Sequence, residues 1–134
     1  MNIALAAHDE KKDLMVEFCM AYTAILKKHN LCATGTTGNI ITNLTSLNVE
    51  RFLVGKQGGT EQIGSRISFN EIDMLIFFRV SSDVVSNDPS VSILLKLCDN
   101  YNVPFATNLA TAEVLVRALE RGELDWRDVV NPKF

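Results

Sequence analysis

The chain has 134 residues, a length that suits one domain spanning 1–134 with one real core. Apolar residues make up 47% and charged residues 22%, which argues against a disordered chain. The net charge is −3 with no basic run, which argues against nucleic acid as the main partner, and no apolar run is long enough to span a membrane.

The first residues, Met1-Asn2-Ile3-Ala4-Leu5, lack the charged and long apolar regions of a secretory signal. Cys19, Cys32 and Cys98 are scattered through apolar patterns without paired metal-ligand spacing. That usage predicts buried, reduced thiols, a cytoplasmic setting and no metal site.

Residues 3–7 read as a buried strand that stops at His8-Asp9, with Asp9 placed to cap a helix. That helix runs to about residue 29, because Leu14, Met15, Phe18, Cys19, Tyr22, Ile25 and Leu26 form one stripe at helical spacing. A second strand over 31–34 leads into Ala33-Thr34-Gly35-Thr36-Thr37-Gly38, read as a loop before a short helix over 39–44. A third strand covers 49–54, followed by the loop Gly55-Lys56-Gln57-Gly58-Gly59-Thr60 and a helix over 61–69. Residues 73–78 read as a fourth strand, whose unbroken apolar run from Met74 to Phe78 is the mark of a strand covered on both faces.

After a longer loop over 79–88, Asp88-Pro89 is a helix start with Asp at the cap and Pro in the first turn, and the helix reaches about residue 100. A short strand over 103–106 contains Pro104, which suits an edge position or a strand start. Thr107-Asn108 ends it, a helix over 111–121 follows, and Gly122 is its natural C-terminal stop. The tail from residue 124 has no clear pattern; Trp126 in it is expected to pack on the body or on a neighbouring subunit.

Strands and helices alternate with short connections, which predicts an α/β fold: a single doubly wound parallel sheet of about five strands with helices on both faces. Ligands of such sheets bind beyond the carboxyl ends of the strands. That rule gathers His8-Asp9, residues 34–38, 55–60 and 79–88, and Thr107-Asn108.

The Thr34 to Gly38 stretch offers backbone N–H groups and three hydroxyls, a combination suited to an anion. Lys12 lies near the same rim and reads either as completing a site for one phosphate or as a solvated helix lysine. His8 and Asp9 read either as a base with its orienting partner or as a surface imidazole beside a helix cap. His29, near a helix C-terminus, reads as a complement to the helix dipole. Lys56 and Arg79 fall on the predicted rim and make the pocket more basic.

Several segments taken together resemble the methylglyoxal synthase family. They are Ala7-His8-Asp9 with Lys12, Ala33 through Gly38, Gly58-Gly59 with Gln62-Ile63-Gly64, Ile76-Phe77-Phe78, Asp88-Pro89 and Ala106-Thr107-Asn108. The match covers nearly the whole chain in order. The resemblance implies enzymes that eliminate phosphate from dihydroxyacetone phosphate to give methylglyoxal, without metal or cofactor, as homohexamers. The same domain type serves as an allosteric ligand-binding module in carbamoyl phosphate synthetases.

Residue by residue, the resemblance makes Lys12, Thr34, Thr36, Thr37 and Gly55 phosphate contacts, with Gly38 in the same loop and His8 and Asp9 in the same pocket. It departs where the chemistry sits. The family's Ser-Gly-Pro-x-Gly-Gly-Asp-Gln-Gln reads Val54-Gly55-Lys56-Gln57-Gly58-Gly59-Thr60-Glu61-Gln62, so a phosphate-binding serine is Val54 and the base is Thr60. The Asp-Pro after the fourth strand is Val80-Ser81, the electrophilic histidine is Asn87, and a further aspartate is Ser90. The expectation is a protein that binds phosphate or a small phosphorylated metabolite, with synthase activity weak or lost. Two alternatives stay open: an active synthase using Glu61 or Asp9 as base, and a metabolite-sensing module acting through a protein partner. Glu61 itself has a plainer reading, a favourable charge in a first helical turn whose side chain points away from that of Thr60.

Overall fold

Successive residues of a strand point to opposite faces, so a strand that is apolar at every position must be covered twice. The computed structural model, which describes residues 1–80 and 89–130, builds such a sheet. Its strands are β1 (Asn2–Ala7), β2 (Asn30–Ala33), β3 (Val49–Arg51), β4 (Met74–Phe78) and β5 (Phe105–Ala106). All pairings are parallel, in the order β3-β2-β1-β4-β5. Ile3 and Leu5 of β1 join Met74, Ile76 and Phe78 of β4 on one face, while Ala4, Ala6, Leu75 and Phe77 face the other.

The first face is covered by α1 (Lys12–Ala21), α3 (Gly35–Leu44) and α6 (Leu109–Glu120), through Met15, Phe18, Cys19, Ile41 and Val116. The second is covered by α4 (Gly59–Ser68) and α5 (Pro89–Tyr101), through Ile63, Ile67, Leu94 and Cys98. The doubly wound α/β sheet expected from the alternating pattern is the one observed. All three thiols are buried and free, and burial pushes each up to about 12, so they are inert members of the core.

The long first helix is interrupted. A 3-10 turn at Asp9–Lys11 precedes α1, and α2 (Thr23–Leu26) follows after a break at Tyr22. There the Thr23 hydroxyl donates to the Cys19 carbonyl at 2.7 Å, a local bond that competes with helix continuation. Asp9 does not cap: it is the first residue of the 3-10 turn and its carboxylate bonds Lys12.

The Thr/Gly stretch is not a loop. Thr34 takes the extended cap conformation and Gly35 opens α3, ahead of the predicted start at residue 39. β3 stops at Arg51, and residues 52–54 leave the sheet. β5 lies at the sheet edge after Pro104, the Asn108 side chain accepts from the Thr111 N–H at 3.0 Å, and Gly122 ends α6 at φ +75°. The tail forms α7 (Trp126–Val130). Trp126 is half-exposed over the Arg127 guanidinium, whereas Arg127 is fully buried. Asp88 lies outside the described residues.

The chain runs outward from β1 to β2 and β3, then returns to place β4 on the opposite side of β1. The order reverses between β1 and β4, the crevice at which sheets of this kind take ligands.

Candidate functional site

Two helices and a short turn begin against one extended strip of backbone. The Phe52 N–H donates to the Ala33 carbonyl at 2.8 Å, and the Leu53 carbonyl accepts from the Gly35 N–H at 2.9 Å. The Leu53 N–H donates to Gln62 Oε1 at 2.7 Å, and the Val54 carbonyl accepts from the Gly59 N–H at 3.1 Å. A Cβ on Gly59 would lie 1.9 Å from the Leu53 carbonyl oxygen, and one on Gly35 would lie 2.9 Å from that of Phe52. Only glycine permits this approach, and it brings the N-termini of α3, α4 and the 3-10 turn Gly55–Gln57 together.

The first turns of helices leave N–H groups without internal acceptors. In α3 the Gly35 N–H is taken by Leu53 and the Gly38 N–H closes on the Thr34 carbonyl at 2.8 Å. The N–H groups of Thr36 and Thr37 have no acceptor among the described residues. The same holds for Gly55 and Lys56 in the 3-10 turn and for Thr60 and Glu61 in α4. The Thr37 hydroxyl adds to these: the residue is 2% exposed and its Oγ1 has no hydrogen-bond partner among the described residues. An orphaned buried hydroxyl costs about 1–3 kcal/mol.

A cavity of about 760 Å³ opens over these turns. His8, Asp9 and Lys12 line it from the end of β1, Thr34 and Thr36 from α3, Gly55 and Lys56 from the 3-10 turn, and Thr60 and Glu61 from α4. Glu61 sits in the first turn of α4, as its plainer reading requires, and still borders the cavity alongside Thr60. Thr37 and Gly38 lie behind this lining, buried in α3. Val54 lines the cavity and its side chain carries no hydrogen-bonding group, Arg79 is not part of the lining, and Asn87 lies outside the described residues.

His8 Nδ1 accepts the Val80 backbone N–H at 3.0 Å. A nitrogen that accepts a hydrogen bond carries no proton, so the neutral ring holds its proton on Nε2. Its ring packs edge-on against Phe77, centroids 5.3 Å apart. Asp9, expected as the orienting partner of His8, bonds Lys12 Nζ at 2.8 Å instead, and Lys12 also donates to the Ala7 carbonyl at 2.9 Å. The Lys12 bond and charge hold the Asp9 carboxyl below the ordinary carboxylate range.

Sequence reasoning missed Phe77 and the Val80 backbone. The signal was the parallel register, which pairs Ala7 with Phe78 and so sets the following residues beside His8. His29 lies at the other end of the sheet, in a hollow of about 620 Å³ whose acids Glu50 and Glu71 are both paired with Arg66. Among the described residues no group of three or more His, Cys, Asp or Glu is placed to hold a metal ion, and no helix is long and apolar enough to cross a membrane.

The family model for the MGS-like domain matches residues 14–107. The methylglyoxal synthase of Caldicellulosiruptor saccharolyticus is 58% identical over 134 residues, covering 100% of this chain and 95% of that relative. The methylglyoxal synthase of Listeria welshimeri is 54% identical over 129 residues, covering 96% of each. The crystal structure of methylglyoxal synthase from Elizabethkingia anophelis aligns with a TM-score of 0.80 at 40% identity, covering 86% of this chain and 76% of that one. With its sheet order, its convergent helix starts and this similarity over its full length, the chain belongs to the methylglyoxal synthase family.

Proposed function

We propose that the protein eliminates phosphate from dihydroxyacetone phosphate to give methylglyoxal, slowly, with Glu61 as the base. The observation that carries this is the position of Glu61, a carboxylate on the same cavity as the unpaired N–H groups of α3, α4 and the 3-10 turn. Relatives named methylglyoxal synthase, matched end to end, weigh toward the active alternative and against lost activity.

The phosphate sits on the N–H groups of Thr36, Thr37 and Gly55, and the orphan Thr37 hydroxyl finds its partner there. Lys12 has a third proton to give after its bonds to Ala7 and Asp9. Glu61 removes a proton from the hydroxymethyl carbon, and the electrons form an enediolate. His8 Nε2–H donates to the oxygen that gains charge, held in that tautomer by the Val80 N–H. Collapse of the enediolate breaks the C–O bond to phosphate, which leaves onto its N–H cradle and takes the O–H proton of the carbon that becomes the aldehyde. The released enolate takes up on its methylene carbon the proton that Glu61 removed and becomes methylglyoxal.

Asp9 is the poorer base, because Lys12 already binds its carboxylate and lowers its proton affinity. Thr60 keeps its proton at neutral pH, so the base position of the resemblance contributes none. A positioned acid or base is worth about 10²–10⁴-fold, which sets the scale of the slower rate. The buried thiols fit a reducing, cytoplasmic setting.

The test is methylglyoxal formation from dihydroxyacetone phosphate. Wild type yields product, Glu61→Gln yields at least about tenfold less, and Thr60→Asp yields about 10²-fold more. No product from wild type overturns the proposal and leaves a protein that binds phosphorylated ligands without turning them over.

A further inference from the structure

The two lysines on the cavity are not equivalent. Lys12 is engaged, by the Ala7 carbonyl and by Asp9. Lys56 is exposed, lines the same cavity, and forms neither hydrogen bond nor ion pair among the described residues. It is the middle residue of the 3-10 turn Gly55–Gln57, whose first N–H groups are also without acceptors. Its charge reaches Asp9 and helps to lower that carboxyl, so the ammonium bears on the mouth of the cavity. Asp9 does not need it as a partner, since Lys12 bonds Asp9 directly.

One turn therefore presents its backbone donors and a cation without a hydrogen-bond or ion-pair partner among the described residues, while the Val54 side chain, at the start of that turn, brings no donor. An ammonium on a flexible stem binds phosphate as a point charge and needs no fixed fork geometry. We infer that Lys56 is a phosphate-binding residue: its ammonium folds over a phosphate group seated on the N–H groups of Thr36, Thr37 and Gly55. This rests on the phosphate site of the proposed function and adds a cationic contact to it.

Calorimetric titration with inorganic phosphate tests the inference on wild type, Lys56→Met and Lys56→Arg, at low and high salt. Lys56→Met binds phosphate about tenfold more weakly at low salt, Lys56→Arg stays within about threefold of wild type, and the gap narrows as salt rises. Equal affinity of Lys56→Met and wild type at low salt overturns the role of Lys56 and leaves the phosphate site standing. Failure of wild type to bind phosphate overturns both the inference and the reading beneath it. Lys56 is exposed, so the variants fold, and matching thermal melts verify that.

Discussion

Polar groups occupy both ends of the sheet, and they are treated in opposite ways. At the amino end Asp73 and Arg127 are 1% and 0% exposed. Asp73 Oδ1 accepts from Arg127 Nε at 3.2 Å, and its Oδ2 accepts the Asn2 N–H at 2.8 Å. The remaining guanidinium N–H groups reach the carbonyls of Asn102 and Ile72. At the carboxyl end the N–H groups of Thr36, Thr37, Gly55, Lys56, Thr60 and Glu61 and the Thr37 hydroxyl have no protein partner among the described residues. Desolvation penalises an unpaired group wherever it lies. The tail of the chain supplies the partner at one end, and at the other the proposed phosphate is the partner.

The largest effect that tests this contrast is at the amino end. Arg127→Met leaves the buried Asp73 carboxylate without its guanidinium partner and costs about 3–5 kcal/mol in denaturant unfolding. Replacing both partners, Asp73→Leu with Arg127→Met, recovers part of that loss, because no uncompensated charge remains. A cost under about 1 kcal/mol for the single variant contradicts a closed polar end.

Next comes Gly59→Ala. The added methyl meets the Leu53 carbonyl and forces the start of α4 away from the strip it lies on. Overpacking of this kind costs about 1–3 kcal/mol, and phosphate affinity falls with it because the helix starts separate. Unchanged phosphate binding in a folded Gly59→Ala protein breaks the link between that close approach and the site.

Thr37→Val sharpens the contrast further, since it should separate stability from binding. Removing an orphan hydroxyl leaves stability unchanged or raises it by up to about 1 kcal/mol, while phosphate binds about tenfold more weakly. A loss of stability above about 1 kcal/mol means that the hydroxyl has an internal partner.

The smallest effect is at the Asp9–Lys12 pair, whose carboxylate is exposed. The Asp9 carboxyl is lowered in the folded protein, so its contribution is present above the unfolded value near about 3.9 and disappears as pH falls through the lowered one. Lys12→Met raises the Asp9 titration toward the ordinary range, read by carboxyl NMR, with little change in stability above pH ~5 because solvent screens the pair. A large loss of stability at neutral pH contradicts that assignment.

The fold was legible because each strand is a compact apolar run and each long helix carries a stripe: β4 reads as covered on both faces from Met74 to Phe78 alone. Asn108 and Gly122 announce the ends of α6 through capping chemistry that acts within a few residues. The start of α3 was hidden, because glycine and threonine are poor helix formers and only the strip 52–54, packed against Gly35, makes them a helical turn. Arg127 was hidden for a different reason: its partner Asp73 is distant in sequence, and no local period marks a lone arginine for burial. At the site, Lys12 and the threonines were readable as types, but the bond that fixes His8 comes from a backbone N–H, which every residue but proline carries. Whether Glu61 borders the cavity depends on where α4 begins relative to Leu53, a tertiary fact.

The most direct test of the contrast between the two ends is an amide NMR titration with inorganic phosphate. The account predicts that the amide signals of Thr36, Thr37, Gly55 and Lys56 move together and saturate, while those of Asn2, Asp73 and Arg127 stay where they are. Saturable shifts confined to the amino-end hollow around His29 and Arg66, or no saturable shift at all, would contradict it.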